Sequence, residues 1–435
     1  MRIPIVCVDE RVRQYVGVFW ECFSRPQRRH FVTMLVALLL CHGPRTLSNL
    51  FRTVAGAGSV ASLSRFLAEA PWDASTVAKT WFRRFREQVA PQIAALHAEQ
   101  RANRPRRGGR SKATRVTGYL IGDDSTMHKR RGKKMEGLGK HYSTTERRVL
   151  TGHSLLQALY VVAGRRCPLE PQLYRQKAVC EAEGVAFASK GDLMAECIRS
   201  FEPAADTHTH VLLDSWYSAK SIWAAAKARG FSISSGLKSN RLLRIADAHA
   251  KGGWRWQDLT TYASKRTEND YQQVVWPNQD GAGRVVWVHV VTTTVRNLGR
   301  CQVILVRDTL DAPLKEVRFW ASSDLDADAA TLIRHLAVRW DIEVLFADAK
   351  ELLGLDQYQL MSATAIVRFW TLVLAAYVFL EEERARLAAT TEQHVTIGDA
   401  QRAIQRAHWV HLLTWLRQQF QHQEAFASIV RQLAA

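Results

Sequence analysis

The run from Arg101 to Val116 separates two kinds of hydrophobic periodicity, and that change of period limits the possible folds more than any other feature. The run carries Arg101, Arg104, Arg106, Arg107, Arg110, Lys112 and Arg115 with Pro105, Gly108 and Gly109 and no acid. It reads as a flexible basic linker, either a solvated tether extended by self-repulsion or a segment that tracks a phosphate backbone. Before it, from about Pro26 to Glu99, apolar residues recur at helical spacing: Phe31, Met34, Leu35, Leu38 and Leu39, then Leu63, Phe66 and Leu67, then Trp81, Phe82 and Phe85. Thr46 and Asp73 stand where helix N-caps belong. After it come short strand-like runs at Tyr119 to Ile121, His153 to Val162, Val211 to Leu213 and Phe231 to Ser234, with helical stretches at Lys190 to Ser200 and Ala219 to Arg229.

The expected fold class is therefore mixed α/β with an all-helical N-terminal domain. From about Leu242 to Ser322 aromatic and β-branched residues alternate with turn residues, which predicts a β-rich insertion. Helices resume near Asp326, the last running from about Ile397 to Leu433 with an amphipathic pattern suited to a dimer or DNA surface. The boundaries that follow are a helical domain at 1–100, the linker at 101–116 and a first core part at 117–241. The β-rich insertion then occupies 242–325, the second core part 326–385 and the helical C-terminal region 386–435.

Lys plus Arg number 60 against 41 Asp plus Glu, a formal charge of +19 that points to a polyanionic partner, nucleic acid above all. The short N-terminal helices, with Arg28, Arg29, Arg45, Arg52, Arg65, Arg83, Arg84 and Arg86 among them, suit a helix-turn-helix reader of the major groove; a plain helical bundle suits the same spacing. Cys7, Cys22, Cys41, Cys167, Cys180, Cys197 and Cys301 are scattered without metal-ligand spacing, which implies a reducing cytosol. Met1 to Val8 lacks a secretory pattern, and the apolar run Ala365 to Leu380, interrupted by Arg368, reads as a buried helix. No Walker loop, His-Glu-x-x-His or Gly-x-Ser-x-Gly occurs, which removes several enzyme classes.

Three acid-bearing segments carry the chemistry. Tyr119 to Thr126 ends an apolar strand in Asp123-Asp124-Ser125-Thr126, where neighbouring side chains point to opposite faces, so one of the two acids faces any given site. Val211-Leu212-Leu213-Asp214 repeats the strand-end acid just before a helix. The third segment, Arg339 to Lys350, reads as a single helix on which Arg339, Glu343 and Lys350 share one face beside an apolar arc. Three carboxylates of this kind supply the oxygen donors that two Mg²⁺ ions need for phosphodiester cleavage, with cations alongside for phosphate. Asp123 and Glu351 remain open as substitutes for Asp124 and Glu343. Between the first two acids, His128 to Gly137 forms a basic loop whose Lys129, Arg130, Arg131, Lys133 and Lys134 are candidates for DNA contact.

These residues resemble the DDE transposases of bacterial insertion sequences, the cut-and-paste branch whose third acidic motif reads Tyr-x₂-Arg-x₃-Glu-x₆-Lys. Arg339, Glu343 and Lys350 match that spacing, while Leu336 occupies the Tyr position. The branch's acid-Asp-(Ser/Thr)-(Ser/Thr) strand end fits Asp123 to Thr126 and assigns Asp124; its second acid fits Asp214. The run from Lys129 to Gly137, followed by His141-Tyr142-Ser143, is similar to a loop of one subgroup. The resemblance covers mainly Thr117 to Gln359. It implies an RNase H-like catalytic core interrupted by the β-rich insertion, with Asp124, Asp214 and Glu343 as catalytic Mg²⁺ ligands (Mn²⁺ as a substitute) and Arg339 and Lys350 on DNA. It also implies a homodimer on terminal inverted repeats, a target duplex joined by strand transfer, and a bacterial cytoplasmic, nucleoid-associated setting.

Overall fold

The computed structural model describes residues 8–54, 58–102, 115–143, 147–277, 283–391, 394–422 and 426–429. The N-terminal helices are α1 (Glu10–Gly17), α2 (Arg25–Leu40), α3 (Leu47–Thr53), α4 (Val60–Ala68) and α5 (Ala74–Ala102). Their starts are set by side-chain caps: Ser24 and Gln27 form a capping box on α2, Thr46 accepts from the Asn49 N–H on α3, and Asp73 accepts from the Thr76 N–H on α5. Phe31, Met34, Leu35, Leu38 and Leu39 are buried as their spacing predicts, and so are Leu63, Phe66, Leu67, Trp81 and Phe85. Most of the basic linker lies outside the described residues.

The sheet begins with β1 (Val116–His128), β2 (Gly139–Ser143), β3 (Arg148–Val162), β4 (Arg165–Pro168) and β5 (Gln172–Tyr174), and then α6 (Lys177–Glu183) and α7 (Lys190–Ser200) lead to β6 (Thr207–Leu213). Next come α8 (Lys220–Ala228), β7 (Ser232–Leu237), β8 (Leu242–Ala246), β9 (Trp254–Asp258), α9 (Leu259–Ser264), β10 (Gln272–Trp276), β11 (Arg284–Val295), β12 (Gly299–Arg307) and β13 (Arg318–Ser322). All belong to one 13-stranded sheet in the order β2-β3-β1-β6-β7-β13-β12-β11-β8-β9, with β4 and β5 on β3 and β10 on β11. β3 runs antiparallel to β1, whereas β6 and β7 run parallel to it. The β-rich segment is present but does not stand apart from the core: β13 pairs antiparallel with β7 and carries the core sheet on into the insertion. An unpaired β7 edge would leave a row of backbone donors and acceptors open.

Three helices complete the core: α10 (Ala329–Val338), α11 (Asp341–Glu351) and α12 (Ala363–Thr391), and α13 (Ile397–Gln421) follows. α12 packs on α2, α4, α5, α13 and β4, joining the helical region to the sheet. Among the described residues it is the one helix long and apolar enough to cross a membrane, yet 83% of its apolar window is buried inside the protein. Its single interrupting cation is accounted for: the Arg368 guanidinium donates to the carbonyls of Leu67 and Trp72 and lies over the Trp72 ring. α13 stops at Gln421, short of the expected Leu433, and the residues beyond it lie partly outside the described set. A second core joins Val286, Val288, Ile304 and Val306 of the insertion to Leu332, Ile333 and Leu336 of α10. Leu336 is thus an interior residue, 2% exposed.

Candidate active site

β1 presents two faces, and the neighbours of each identify them. Tyr119, Asp123, Ser125 and Met127 share one face by the period of two along a strand. On that face the Tyr119 ring lies 5.5 Å from His335 of α10, and Ser125 Oγ accepts from Lys350 Nζ of α11 at 2.7 Å. Gly122 and Asp124 point the other way, toward α7. A Cβ at Gly122 would run into the side chains of Met194 and Leu213, so glycine is what allows α7 to sit this close.

Asp214 follows the last paired residue of β6. The parallel register sets Gly122 against Leu213, so Asp123, inside β1 where its pairing with β6 stops, and Asp214, just past the end of β6, come next to each other. Each is held by a backbone donor: Asp123 Oδ1 accepts the Asp124 N–H at 2.8 Å, and Asp214 Oδ1 accepts the Trp216 N–H at 2.7 Å. Burial and then the Asp214 charge push the Asp123 carboxyl up to about 7. Burial raises Asp214 as well, opposed by the N–H groups of Trp216 and Tyr217 and by Arg339.

The expected continuous helix from Arg339 to Lys350 is broken. α10 ends at Val338 and α11 starts at Asp341, leaving Arg339 and Trp340 at the joint in αR conformation. Arg339 still reaches Glu343, four residues on, with a 2.8 Å ion pair. The same guanidinium holds down the carboxyls of Asp123 and Asp214, so one cation serves all three acids. Lys350 is half-buried, and burial lowers its pKa.

Asp124 has different company. Its Oδ2 pairs with Lys190 Nζ at 2.5 Å and accepts from Ser154 Oγ at 3.4 Å, while Oδ1 accepts the Tyr217 hydroxyl at 2.8 Å. Lys190, Ser154 and Tyr217 had no role in the sequence reading. Tyr217 lies only three residues past Asp214, whereas nothing local in the sequence marks Lys190 or Ser154.

Among the described residues no three Asp, Glu, His or Cys groups stand close enough to hold a metal ion as arranged. The donor chemistry of the Asp123 and Asp214 pair nevertheless fits a hard divalent cation, which would relieve the repulsion that raises Asp123. Glu343, the third acid, is held by Arg339.

The basic loop forms one wall of a pocket of about 850 Å³ whose other wall is residues 356–359 with Met361. Arg130, Arg131, Lys133 and Lys134 are exposed, as a phosphate contact requires. Lys129 is not: it is 8% exposed, and its ammonium donates to the carbonyls of Asp356 at 2.6 Å and Tyr358 at 2.7 Å. It fastens the two walls together. His153 and Tyr358 complete the fastening through a 2.8 Å hydrogen bond, and the Glu136 N–H donates to the Met361 carbonyl at 2.9 Å.

A model of the family described as DDE superfamily endonuclease matches residues 18–278, a span that includes Asp123, Asp124 and Asp214. A second, described as transposase DDE domain, matches residues 187–379, which include Asp214, Arg339, Glu343 and Lys350. No curated protein matches the chain. Among solved structures it is similar to piggyBac transposase in a cryo-EM synaptic complex with hairpin DNA. The identity is 9% and the TM-score 0.42, over 98% of this chain and 76% of that one.

Proposed function

This chain belongs to the DDE superfamily of endonucleases, and from that premise we propose that it is a transposase that cuts the ends of a mobile DNA element and joins them to a target duplex. Asp123, Asp214 and Glu343 are the acids that hold divalent cations, Mg²⁺ with Mn²⁺ as a substitute. The observation that carries this assignment is the register of β1 on β6, which sets Asp123 beside Asp214 on the face covered by α10 and α11. Asp124, the acid assigned by the motif resemblance, points to the opposite face and is already neutralised by Lys190. Bound cations supply an acidified water or 3′-hydroxyl as nucleophile and stabilise charge at the leaving oxygen.

The chain's own residues do the rest. The N–H groups of Asp124 and Trp216 hold the two aspartates in fixed rotamers, which limits reorganisation when a phosphate arrives. Arg339 pairs with Glu343, its charge opposes the rise of the Asp123 and Asp214 carboxyls, and it is placed to meet phosphate oxygens. Lys350, anchored on Ser125, borders the same face, and Arg130, Arg131, Lys133 and Lys134 extend the cationic track toward the pocket. The order β2-β3-β1-β6-β7, with β1, β6 and β7 parallel and β3 antiparallel, supports an RNase H-like core. A homodimer on terminal inverted repeats, in the bacterial cytoplasm at the nucleoid, completes the proposal; the exposed Trp409, Val410 and Leu413 of α13 support a role for that helix in pairing.

The test is nicking of supercoiled plasmid in Mg²⁺ against EDTA, with binding to the element's end sequences measured alongside. Asp123→Asn and Asp214→Asn are expected to lose nicking while retaining binding. An Asp123→Asn protein that nicks like the wild type would remove the assignment.

A further inference from the structure

The acid that faces away from the site has a partner set too specific for a surface charge. Asp124 is 17% exposed at its side chain, yet both carboxylate oxygens are engaged, one by an ammonium and a serine hydroxyl and the other by Tyr217. Tyr217 is 1% exposed and closes the short 3₁₀ turn Ser215–Tyr217, which Asp214 itself caps. The contacts form a closed ring. Asp123 accepts the Asp124 N–H, Asp124 accepts the Tyr217 hydroxyl, the Tyr217 and Trp216 N–H groups hold Asp214, and Asp214 lies next to Asp123.

Two outer supports keep the ring in place. Lys190 is the first residue of α7, whose start is fixed by the Ser189 and Asp192 capping box. From the other side the turn sits directly on β7: a Cβ at Gly236 would come within 2.8 Å of the Ser215 backbone nitrogen, so the absence of a side chain there sets the depth of the turn.

We propose that Asp124, Tyr217 and Lys190 form a positioning unit that fixes the separation of the Asp123 and Asp214 carboxylates, and so sets the affinity of this site for divalent cations. The unit touches neither cation nor DNA and acts only through the two aspartates; the inference rests on their assignment as ligands. Lys190 pairs with the Asp124 carboxylate and so offsets part of the negative charge that bracing the site adds beside the two aspartates. Groups that orient metal ligands from behind in this way are worth about 10- to 100-fold in metal affinity when removed.

The experiment titrates Mn²⁺ into the full-length protein, following binding by calorimetry and by quenching of tryptophan fluorescence, with plasmid nicking over the same concentrations. Tyr217→Phe deletes only the hydroxyl. It is expected to raise the Mn²⁺ concentration for half-saturation about tenfold while nicking at saturating Mn²⁺ stays near the wild-type rate. Lys190→Met should shift the midpoint in the same direction, and adding Asp124→Asn to it, which removes the orphaned charge, should bring the midpoint part of the way back. A merely structural role would lower the melting temperature or the active fraction without moving the midpoint. Wild-type Mn²⁺ affinity in both Tyr217→Phe and Lys190→Met overturns the positioning unit. Wild-type Mn²⁺ affinity in Asp123→Asn overturns instead the ligand assignment on which it rests.

Discussion

Asp123 and Asp124 are the same residue type, adjacent in the chain and half-buried to a similar degree, yet the two faces of β1 give them opposite settings. On the face of α10 and α11, Asp123 meets another carboxylate, and burial with that charge raises it to about 7. On the α7 face, Asp124 meets an ammonium and two hydroxyls. The difference teaches that an acid's chemistry is set by what packs over its side of the strand, since residue type and chain position are here almost constant. The same division runs into β3. His153, paired with Met127, bonds Tyr358 on the first face; Ser154, paired with Thr126, reaches Asp124 on the second.

The sharpest way to break the contrast is to remove one carboxylate at a time. Asp123→Asn should lower nicking by on the order of 10³ even in saturating Mg²⁺, whereas Asp124→Asn, which keeps an acceptor for Tyr217, should raise the Mg²⁺ needed by about tenfold or less and leave the saturated rate near wild type. Equal losses would show that the two faces are not chemically distinct.

A smaller effect appears in stability against pH. Burial drives the His153 imidazole down to about 4 from an ordinary value near 6.5. The unfolded chain therefore binds a proton that the native one refuses, and the His153 contribution is present above about 6.5 and lost as pH falls toward 4. For Asp123 the sign reverses: its folded value is raised, so its contribution is present below about 3.8 and lost as pH rises through about 7. Between about 4 and 6.5 the two slopes oppose. In His153→Gln the titration of His153 is gone, so the stability difference from wild type should change by on the order of 3 kcal/mol across that window, measured by urea unfolding at each pH. A constant difference would mean that the imidazole is not held neutral.

Packing gives a test on the α7 face. Gly122→Ala places a methyl into Met194 and Leu213 and should destabilise by about 2 kcal/mol in thermal unfolding, with Mn²⁺ affinity falling as α7 and Lys190 are displaced. The smallest change concerns the insertion. Leu336→Tyr restores the residue of the family motif at a position packed inside the second core, so about 1 kcal/mol of stability should be lost, with no gain in nicking. A gain would show that the position opens toward DNA.

Much of this was legible in the residues. The helical spacing from Phe31 to Phe85, the strand end at Asp214, α7 to the residue, and the burial of Ala365 to Leu380 all follow from local periodicity, whereas the strand expected to end at Asp123 to Thr126 runs on to His128. The spacing of Arg339 and Glu343 held as an ion pair even though the helix breaks between them, because both joint residues keep αR dihedrals. Lys129 was misleading. Sitting in a run of cations it has the sequence signature of a phosphate contact, but its neighbours in space are the carbonyls of a segment more than two hundred residues away.

The sequence alone determined most of the helical and strand segments, the net positive charge, and the acids that apolar strands carry, since each depends on residues a few positions apart. Only the tertiary structure decided which aspartate of the pair faces Asp214, that the insertion continues the core sheet, and that Lys129 fastens rather than binds. Those outcomes depend on strand register and on which helix covers which face. Both are fixed by contacts between distant segments, which leave no periodic trace along the chain.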